Sequence, residues 1–203
     1  MKKYAVLHEP GDIVTLAGTR FVVLDVERRG SLPDSLFLLA LESVGASEFG
    51  SSNNYAESDL KKAVDKWLED MGKRGLDNAK LIPREIDLTT LDGSGCYGKL
   101  SVKAAPLTLD EAREYADIIP NAERWCWLAT GWSGPSKSDG DYALGVYSNG
   151  DWNYYYCSNS CGVRPALKIP SDLLLDSADK PDLSEVPTDT LLEEIRRRVV
   201  DKA

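Results

Sequence analysis

The sequence predicts an α+β protein in which strands and helices occupy separate stretches of the chain. Short apolar runs typical of strands fill the chain up to residue 41 and return from residue 125. Two amphipathic helical patterns with polar caps lie between these stretches. Segregated runs of strands and helices are typical of the α+β class.

The N-terminal part contains three predicted strands, at residues 12–16, 21–26 and 36–41. The first is a short apolar alternation that the second continues, and the third is a continuous apolar run, which is typical of a buried strand. Glycines at positions such as Gly18 and Gly30 separate them, as expected of turns.

The first predicted helix follows a polar loop at residues 48–58. Ser58 is the predicted N-cap, and Gly72 or Gly75 is expected to end the helix. The residues expected to share the apolar face are Leu60, Val64, Trp67, Leu68 and Met71.

The second predicted helix begins after an irregular stretch at residues 79–98. Thr108 and Glu111 have the spacing of a capping box, in which each side chain accepts a hydrogen bond from the other residue's backbone N–H. Pro120 lies beyond the end of this helix.

The pattern is that of strands again from Trp125. Residues 125–130 form one predicted strand, and residues 142–148 and 151–157 form a hairpin around Asn149-Gly150. Asn-Gly between two alternating runs is the strongest short-range hairpin signal.

A strand at residues 162–169 closes the predicted sheet, and Pro165 requires an edge or a bulge there. Beyond it, a linker leads to a helix at residues 189–202 that begins with another capping box. We therefore divide the chain into a ligand-binding domain, 1–169, and a linker with a C-terminal helix, 170–203. That helix is a candidate for homo-oligomer formation.

Composition excludes several classes of partner. The chain has 203 residues and a formal net charge of −9. Binding to nucleic acid or to an anionic membrane surface requires excess Lys and Arg, so neither is expected. The sequence shows no signal peptide and no apolar run long enough to insert into a membrane, which predicts a cytoplasmic or particle-borne protein.

The most unusual feature is an aromatic-rich stretch. Five of the nine tyrosines lie between Tyr142 and Tyr156, and there is no Lys, Arg, Glu or Gln from Ser138 to Val163. Tyr combined with Ser, Asn and Gly is the composition of antibody binding loops. This composition predicts a recognition surface on the hairpin.

The predicted ligand-binding residues belong to this hairpin, the loop at residues 131–140 and the turn after the hairpin. They are Trp132, Ser133, Asp139, Asp141, Tyr142, Tyr147, Asn149, Asp151, Asn153, Tyr154, Tyr155, Tyr156, Ser158, Asn159 and Ser160.

A half-buried strand is the alternative interpretation of the same stretch. Trp152, Tyr154 and Tyr156 alternate with Asn153 and Tyr155, so the first three can face a core. We expect the tryptophans of this region to be core residues. For the tyrosines both interpretations stay open, although Tyr155 and Asn153 are expected to be exposed in either case.

The order of several motifs resembles a bacterial and phage family of domains of unknown function. The motifs are FVVLDVE, NNYAESDLKKAVDKWLEDM, LTLDEAREY, WCWLATG, GVYSNGDWN and GVRPAL, and the resemblance covers about residues 11–169. The family often has Trp-Leu-Arg-Ser where this chain has Trp127-Leu128-Ala129-Thr130. The C-terminal helix lies outside the resemblance.

The resemblance implies the C-type-lectin-like fold of the formylglycine-generating-enzyme group. The variable proteins of diversity-generating retroelements share that fold. In those systems error-prone copying at adenines scrambles AAC and AAT codons into codons for Asn, Tyr, Ser, Asp, Cys and Gly, among others. The stretch YSNGDWNYYYCSNSCG uses this alphabet except at Trp152, which is then expected to be a fixed scaffold residue.

Motifs for catalysis are weak, and we expect no catalytic residue, metal or cofactor. His8 is the only histidine and lies in a start expected to be flexible. Calcium requires six to eight oxygen ligands, whereas the hairpin region offers only three aspartates. Arg164 is expected to have a structural role.

The sequence thus favours a non-enzymatic binding protein whose ligand is a protein or a cell-surface structure. Two alternatives stay open. One is a cysteine-dependent oxidase of the sulfatase-modifying type, which would use Cys157 and Cys161. The other is a phage structural or adaptor protein, particle-associated and assembled through the C-terminal helix.

Overall fold

Three β-sheets and two α-helices build the part of the chain that the computed structural model describes, residues 2–4, 8–29, 32–135 and 139–177. The architecture belongs to the α+β class, as predicted. The predicted C-terminal helix at residues 189–202 lies outside the described residues. No helix in the described part is long and apolar enough to cross a membrane.

The largest sheet has seven antiparallel strands in the order β1-β14-β2-β3-β4-β13-β8. Its strands are β1 Lys2–Tyr4, β2 Ile13–Leu16, β3 Thr19–Arg29, β4 Leu32–Ala40, β8 Ala104–Ala105, β13 Ala166–Pro170 and β14 Leu174–Ser177. The strand β14 lies in the stretch assigned to the linker from the sequence, and it pairs with β1 and β2.

The second sheet has five strands in the order β11-β10-β9-β12-β5 and is mixed, because β9 and β12 are parallel. Its strands are β5 Ala46–Glu48, β9 Cys126–Gly131, β10 Tyr142–Val146, β11 Trp152–Tyr156 and β12 Ser160–Gly162. All six residues of β9 are buried, whereas β11 forms an edge of the sheet.

A small third sheet pairs β6, Arg84–Asp87, with β7, Lys99–Val102. This corrects the prediction of an irregular stretch at residues 79–98. The apolar signal of β6 consists of Ile86 alone, since the other buried residue of the strand is the charged Arg84. A four-residue strand with such a pattern has no clear period in the sequence.

The first helix, α1, spans Asp59–Lys73 and has the predicted cap. The Ser58 hydroxyl accepts a hydrogen bond from the N–H of Lys61 at 2.9 Å. Of the five predicted apolar residues, Leu68 is only partly buried and the other four are buried. The helix packs on the large sheet, where the Trp67 and Phe21 ring centroids lie 6.3 Å apart.

The second helix, α2, is short and spans Leu109–Glu114. The predicted capping box is present: the Thr108 hydroxyl accepts from Glu111 N–H, and the Glu111 carboxylate accepts from Thr108 N–H. The same carboxylate pairs with the buried Arg84 guanidinium. Arg84 also donates to the carbonyls of Ala105 and Pro106, so this ion pair ties the start of α2 to the small sheet.

Both faces of the large sheet are covered at β3 and β4. Along β3 and β4, Phe21, Val23 and Leu38 pack in one hydrophobic cluster with α1, whereas Val22 and Leu39 pack in a second cluster with α2. Alternate side chains of a strand point to opposite faces, so burial on both faces explains the continuous apolar run of β4.

The closing strand β13 lies inside the large sheet, between β4 and β8. This corrects the expectation that Pro165 needs an edge or a bulge. Pro165 immediately precedes the strand, and its carbonyl accepts a hydrogen bond from Ala40 N–H at 2.8 Å. Proline has no N–H to lose there, so the interior position is compatible with it.

Candidate recognition surface

The hairpin of β10 and β11 is the centre of the predicted site. Tyr142 pairs with Tyr156 at its base and Val146 with Trp152 near its tip. The two strands are joined by residues 147–151, in which Gly150 has a φ of +90°, a left-handed conformation that glycine adopts without strain. All five residues of β11 are exposed.

Some backbone groups on the outer edge of β11 form hydrogen bonds with asparagine amides. The hydrogen bonds between β10 and β11 fix which groups these are: Tyr147 N–H donates to Asp151 O at one end of the hairpin, and Cys157 N–H donates to Asp141 O at the other. Since bonded pairs alternate in an antiparallel ladder, the backbone groups of Tyr154 and Tyr156 point away from β10. Tyr154 N–H donates to the Asn153 side chain at 2.8 Å, and Tyr156 O accepts from Asn159 N–H at 2.9 Å.

One face of the hairpin carries what we call the Tyr154 row, which consists of Trp132, Tyr142, Tyr154 and Tyr156. The Tyr154 ring centroid lies 4.3 Å from that of Trp132 and 5.3 Å from that of Tyr142. Tyr142 and Tyr156 lie 4.3 Å apart. These contacts join the segment after β9 to both strands of the hairpin.

The opposite face carries what we call the Tyr155 row, which consists of Trp125, Tyr147 and Tyr155. The Trp125 ring lies between the other two, with centroid distances of 4.2 Å to Tyr147 and 4.3 Å to Tyr155. Gly145 makes this packing possible, because a Cβ there would lie 1.9 Å from Trp125 Nε1.

The three adjacent tyrosines are all surface residues. The exposed fractions are 43% for Tyr154, 39% for Tyr155 and 49% for Tyr156. In the described part of the chain, neither face of the hairpin is covered by another sheet or helix to the degree that would bury these rings. The half-buried alternative is therefore wrong for the tyrosines.

The expectation that the tryptophans are core residues holds for Trp127, holds only in part for the partly buried Trp125 and Trp132, and is wrong for Trp152. Trp127 is 1% exposed, packs edge-on against Phe49 at 5.5 Å and donates from Nε1 to Ser47 O. Trp152 is 38% exposed, and the Arg113 guanidinium lies over its ring at 5.7 Å from the centroid. The difference arises because β9 is central in its sheet whereas β11 is at the edge.

Most other predicted site residues flank the two aromatic rows. Asn149 and Asp151 hydrogen bond to each other in the hairpin loop. The remaining flanking residues are exposed or partly exposed: Asp139, Asp141, Asn153, Ser158, Asn159 and Ser160. Residues 136–138 of the predicted loop lie outside the described residues.

Ser133 is a correction to the predicted site, because it is only 2% exposed. Its carbonyl accepts a hydrogen bond from Asn53 Nδ2 at 2.9 Å. A side chain buried under the loop cannot contact a macromolecular ligand, so Ser133 supports the surface rather than forming it.

Asn53 is a supporting residue that sequence reasoning missed. It is buried, donates to the carbonyls of Ser133 and Tyr142, and accepts from the Tyr97 hydroxyl at 2.7 Å. It therefore fixes the segment after β9 and the start of β10 relative to each other. Its sequence context is a polar loop, which gives no signal for a buried network.

The surface carries one tyrosine, Tyr142, whose ionisation is suppressed. The hydrogen bond between the Tyr142 and Tyr156 side chains, with a smaller contribution from burial, raises the pKa of Tyr142 to about 12. This phenol is neutral at physiological pH. Asp141 and Asp151, which are exposed nearby, give the surroundings an acidic character.

The cysteines of this region are buried thiols. Cys157 is 2% and Cys161 5% exposed, and neither forms a disulfide. Burial raises the pKa of Cys157 to about 12 and that of Cys161 to about 11. The thiolate is the reactive form of cysteine, so both thiols are chemically quiet at neutral pH.

Two further sequence expectations concern charged or metal-binding residues. His8 is buried and its Nδ1 lies 3.3 Å from Asp12 Oδ2, which corrects the expectation of a flexible start at this position. Arg164 makes contacts of the structural kind expected of it, through two of its nitrogens: Nε donates to the Ala40 carbonyl and Nη1 to the Pro120 carbonyl. Within the described residues, no three His, Cys, Asp or Glu side chains are grouped so as to hold a metal ion.

Comparisons of the chain with protein-family models, with curated proteins and with solved structures found no match.

Proposed function

We propose that this chain is a non-enzymatic binding protein that recognises a protein or a cell-surface structure through the two aromatic rows and the loops beside them. The observation that carries the proposal is the exposure of all five residues of the edge strand β11. Exposed large aromatic residues that form a contiguous patch are typical of interaction sites on soluble proteins.

The stacking within the rows supports this function. Each ring of the Tyr154 row contacts another ring of that row at a centroid distance of 4.3–5.3 Å, so the rings are held before any ligand arrives. Binding a rigid aromatic side chain costs little conformational entropy, which is the advantage of tyrosine in antibody paratopes.

Charge adds a specificity element. Asp141 and Asp151 are exposed beside the rows, and the whole chain carries a formal charge of −9. Complementary charge steers association, so the partner is expected to present an aromatic or apolar centre with Lys or Arg around it.

The proposal extends to the fold family and the genetic origin of the chain. We propose that the chain has a C-type-lectin-like fold and that it is a variable protein of a diversity-generating retroelement. The motif order over residues 11–169 and the residue alphabet of the hairpin support this assignment. The exposed positions of β11 also support it, because exchange at exposed positions has small effects on stability.

A capture experiment tests the binding function. The wild-type chain, a Tyr154→Ser/Tyr156→Ser variant and a Lys62→Ser/Lys66→Ser control on α1 are immobilised and exposed to host-cell surface proteins. We expect the control to retain the same partner as the wild type and the tyrosine variant to lose it. Equal retention by all three chains would contradict the proposal.

The coding DNA tests the proposed diversification separately. We expect a near-repeat of the segment that encodes residues 142–162 beside a reverse-transcriptase gene, with differences concentrated at adenines. Variation spread evenly over the gene, with no such repeat, would contradict the retroelement assignment but would leave the binding function standing.

The two alternatives gain no support from the described residues. The oxidase alternative depends on Cys157 and Cys161, whose burial raises their pKa values and disfavours the reactive thiolate. The adaptor alternative depends on the C-terminal helix, which lies outside the described residues.

A further inference from the structure

An apolar cavity of about 220 Å³ lies beside the recognition surface. It is lined by α2, by the segment that connects α2 to β9, and by residues of the strands β4, β9 and β10. Its walls include Ala112 and Ala116 on one side and Leu39 and Leu128 on the other. Trp152, at the edge of the hairpin, contributes a partly exposed ring to the lining. The cavity is therefore reachable from the side of the hairpin.

Arg164 also lines this cavity and is only 6% exposed. Its Nε donates to Ala40 O at 2.7 Å and its Nη1 to Pro120 O at 2.9 Å. Its Nη2 is buried and has no hydrogen-bond partner. Buried donors are almost always paired in folded proteins, so an unpaired guanidinium nitrogen requires an explanation.

The guanidinium also lacks a counter-ion within the described residues. No carboxylate of the described residues lies within 4.0 Å of the Arg164 guanidinium. The nearby Glu42 carboxylate pairs with Arg20 instead. Cys126 lines the same cavity, but burial raises the pKa of its thiol to about 11, so it is neutral and supplies no negative charge. A buried cation without an anion is unfavourable.

We propose that this cavity binds a small molecule with an apolar body and a terminal carboxylate, and that the carboxylate pairs with Arg164. Arginine binds carboxylates through charge-assisted hydrogen bonds, which are among the strongest in proteins. The apolar walls accept the rest of the molecule. The site is separate from the two aromatic rows and does not depend on their function.

The volume limits the size of the ligand. An apolar cavity of about 150 Å³ can hold benzene, whereas pockets for drug-sized molecules begin at about 300 Å³. A ligand slightly larger than benzene therefore fits, such as a short aliphatic or a simple aromatic acid. For so few atoms we expect a dissociation constant in about the millimolar range.

The test uses three probes with the same six-carbon chain: hexanoate, 1-hexanol and hexylammonium. The full chain, labelled with nitrogen-15, is titrated with each probe while the Trp152 indole and Arg164 Nε signals are followed by NMR. We expect hexanoate to shift both signals, 1-hexanol to bind at least about tenfold more weakly, and hexylammonium to cause no saturable shift.

Variants distinguish the contribution of the cavity walls to binding from that of the Arg164 charge. Ala116 is exposed and lines the cavity, so Ala116→Leu adds bulk at the cavity rim and should weaken hexanoate binding at least about tenfold. Ala79→Leu, at an equally exposed alanine outside the cavity lining, should not. Arg164→Met should abolish the preference for hexanoate over 1-hexanol. If Arg164→Met does not fold, Ala116→Leu and the comparison of probes still decide the outcome.

Three results would overturn the proposal. The first is equal affinity for hexanoate and 1-hexanol. The second is hexanoate binding that Ala116→Leu leaves unchanged. The third is the absence of a saturable shift of the Trp152 and Arg164 signals at hexanoate concentrations of about 10 mM.

Discussion

The rings of Trp132 and Tyr154 lie with their centroids 4.3 Å apart and their planes inclined by 49°. Trp132 follows the buried strand β9, whereas Tyr154 lies in the exposed edge strand β11, so this contact anchors the edge of the sheet to its interior strand. Aromatic pairs of this kind contribute about 0.5–1.5 kcal/mol beyond the area they bury. The exposed surface is thus built from side chains that already stabilise one another.

The first prediction contrasts a buried and an exposed aromatic residue. Trp127→Ala should lower the free energy of unfolding by about 3–5 kcal/mol, because Trp127 is 1% exposed and its removal leaves a cavity beside Phe49. Tyr156→Ser should lower it by only about 1–2 kcal/mol, because the half-exposed ring loses its stacking and its hydrogen bond with Tyr142 but leaves no cavity. Urea denaturation of both variants measures the difference. Losses of similar size would show that the tyrosine is a structural residue.

The second prediction concerns Asn53, which links three groups beneath the surface. Asn53→Ala removes the hydrogen bonds from Asn53 to the Ser133 and Tyr142 carbonyls and the bond from the Tyr97 hydroxyl, so we expect a loss of about 2–4 kcal/mol in unfolding free energy. The Tyr142 carbonyl keeps its hydrogen bond from Trp132 N–H. Asn159→Ala is the matched control and should cost less than about 1 kcal/mol. Chemical denaturation gives both values. A loss for Asn53→Ala as small as that of the control would contradict the supporting role.

Local signals predicted the helices and the principal strands. The Ser58 cap, the Thr108–Glu111 capping box and the apolar face of α1 act within a few residues, so the sequence contains all the information that they require. The Asn149-Gly150 turn is another local signal, and it does lie in the loop that joins β10 and β11.

Features that depend on distant packing were not predictable in the same way. Trp127 and Trp152 both lie in strands, yet only Trp127 is buried. Which strand becomes an edge depends on the sheet order β11-β10-β9-β12-β5, which no local pattern encodes. Ser133 and Asn53 are polar in sequence and buried through contacts with residues far along the chain.

The third prediction uses the four free cysteines. A chromogenic aromatic disulfide reagent at pH 8 should react quickly with the exposed Cys96 and slowly with Cys126, Cys157 and Cys161, because burial blocks access and raises the pKa of the last three thiols. Absorbance against time reports the two phases, and denaturant should bring all four into the fast phase. Cys96→Ser should remove the fast phase of the native protein.

A rapid native reaction that survives in Cys96→Ser would contradict this assignment. It would show that Cys157 or Cys161 is reactive in the folded chain, and it would strengthen the oxidase alternative.

The last prediction is a loss of stability at alkaline pH. A thiol in an unfolded chain has a pKa of about 8.5, whereas the pKa of Cys157 in the folded chain is raised to about 12, mainly by burial. Above pH 8.5 the unfolded state therefore releases a proton that the folded state retains, and stability falls until the pH reaches the folded pKa. From pH 8.5 to 10 this thiol alone should lower the unfolding free energy by about 2 kcal/mol.

Urea denaturation between pH 7 and 10 with a reductant should show a shallower decline for Cys157→Ala than for the wild type, while Cys96→Ala, at an exposed position, should follow the wild type. Parallel pH profiles for all three proteins would mean that the Cys157 thiol ionises as readily in the folded chain as in the unfolded one.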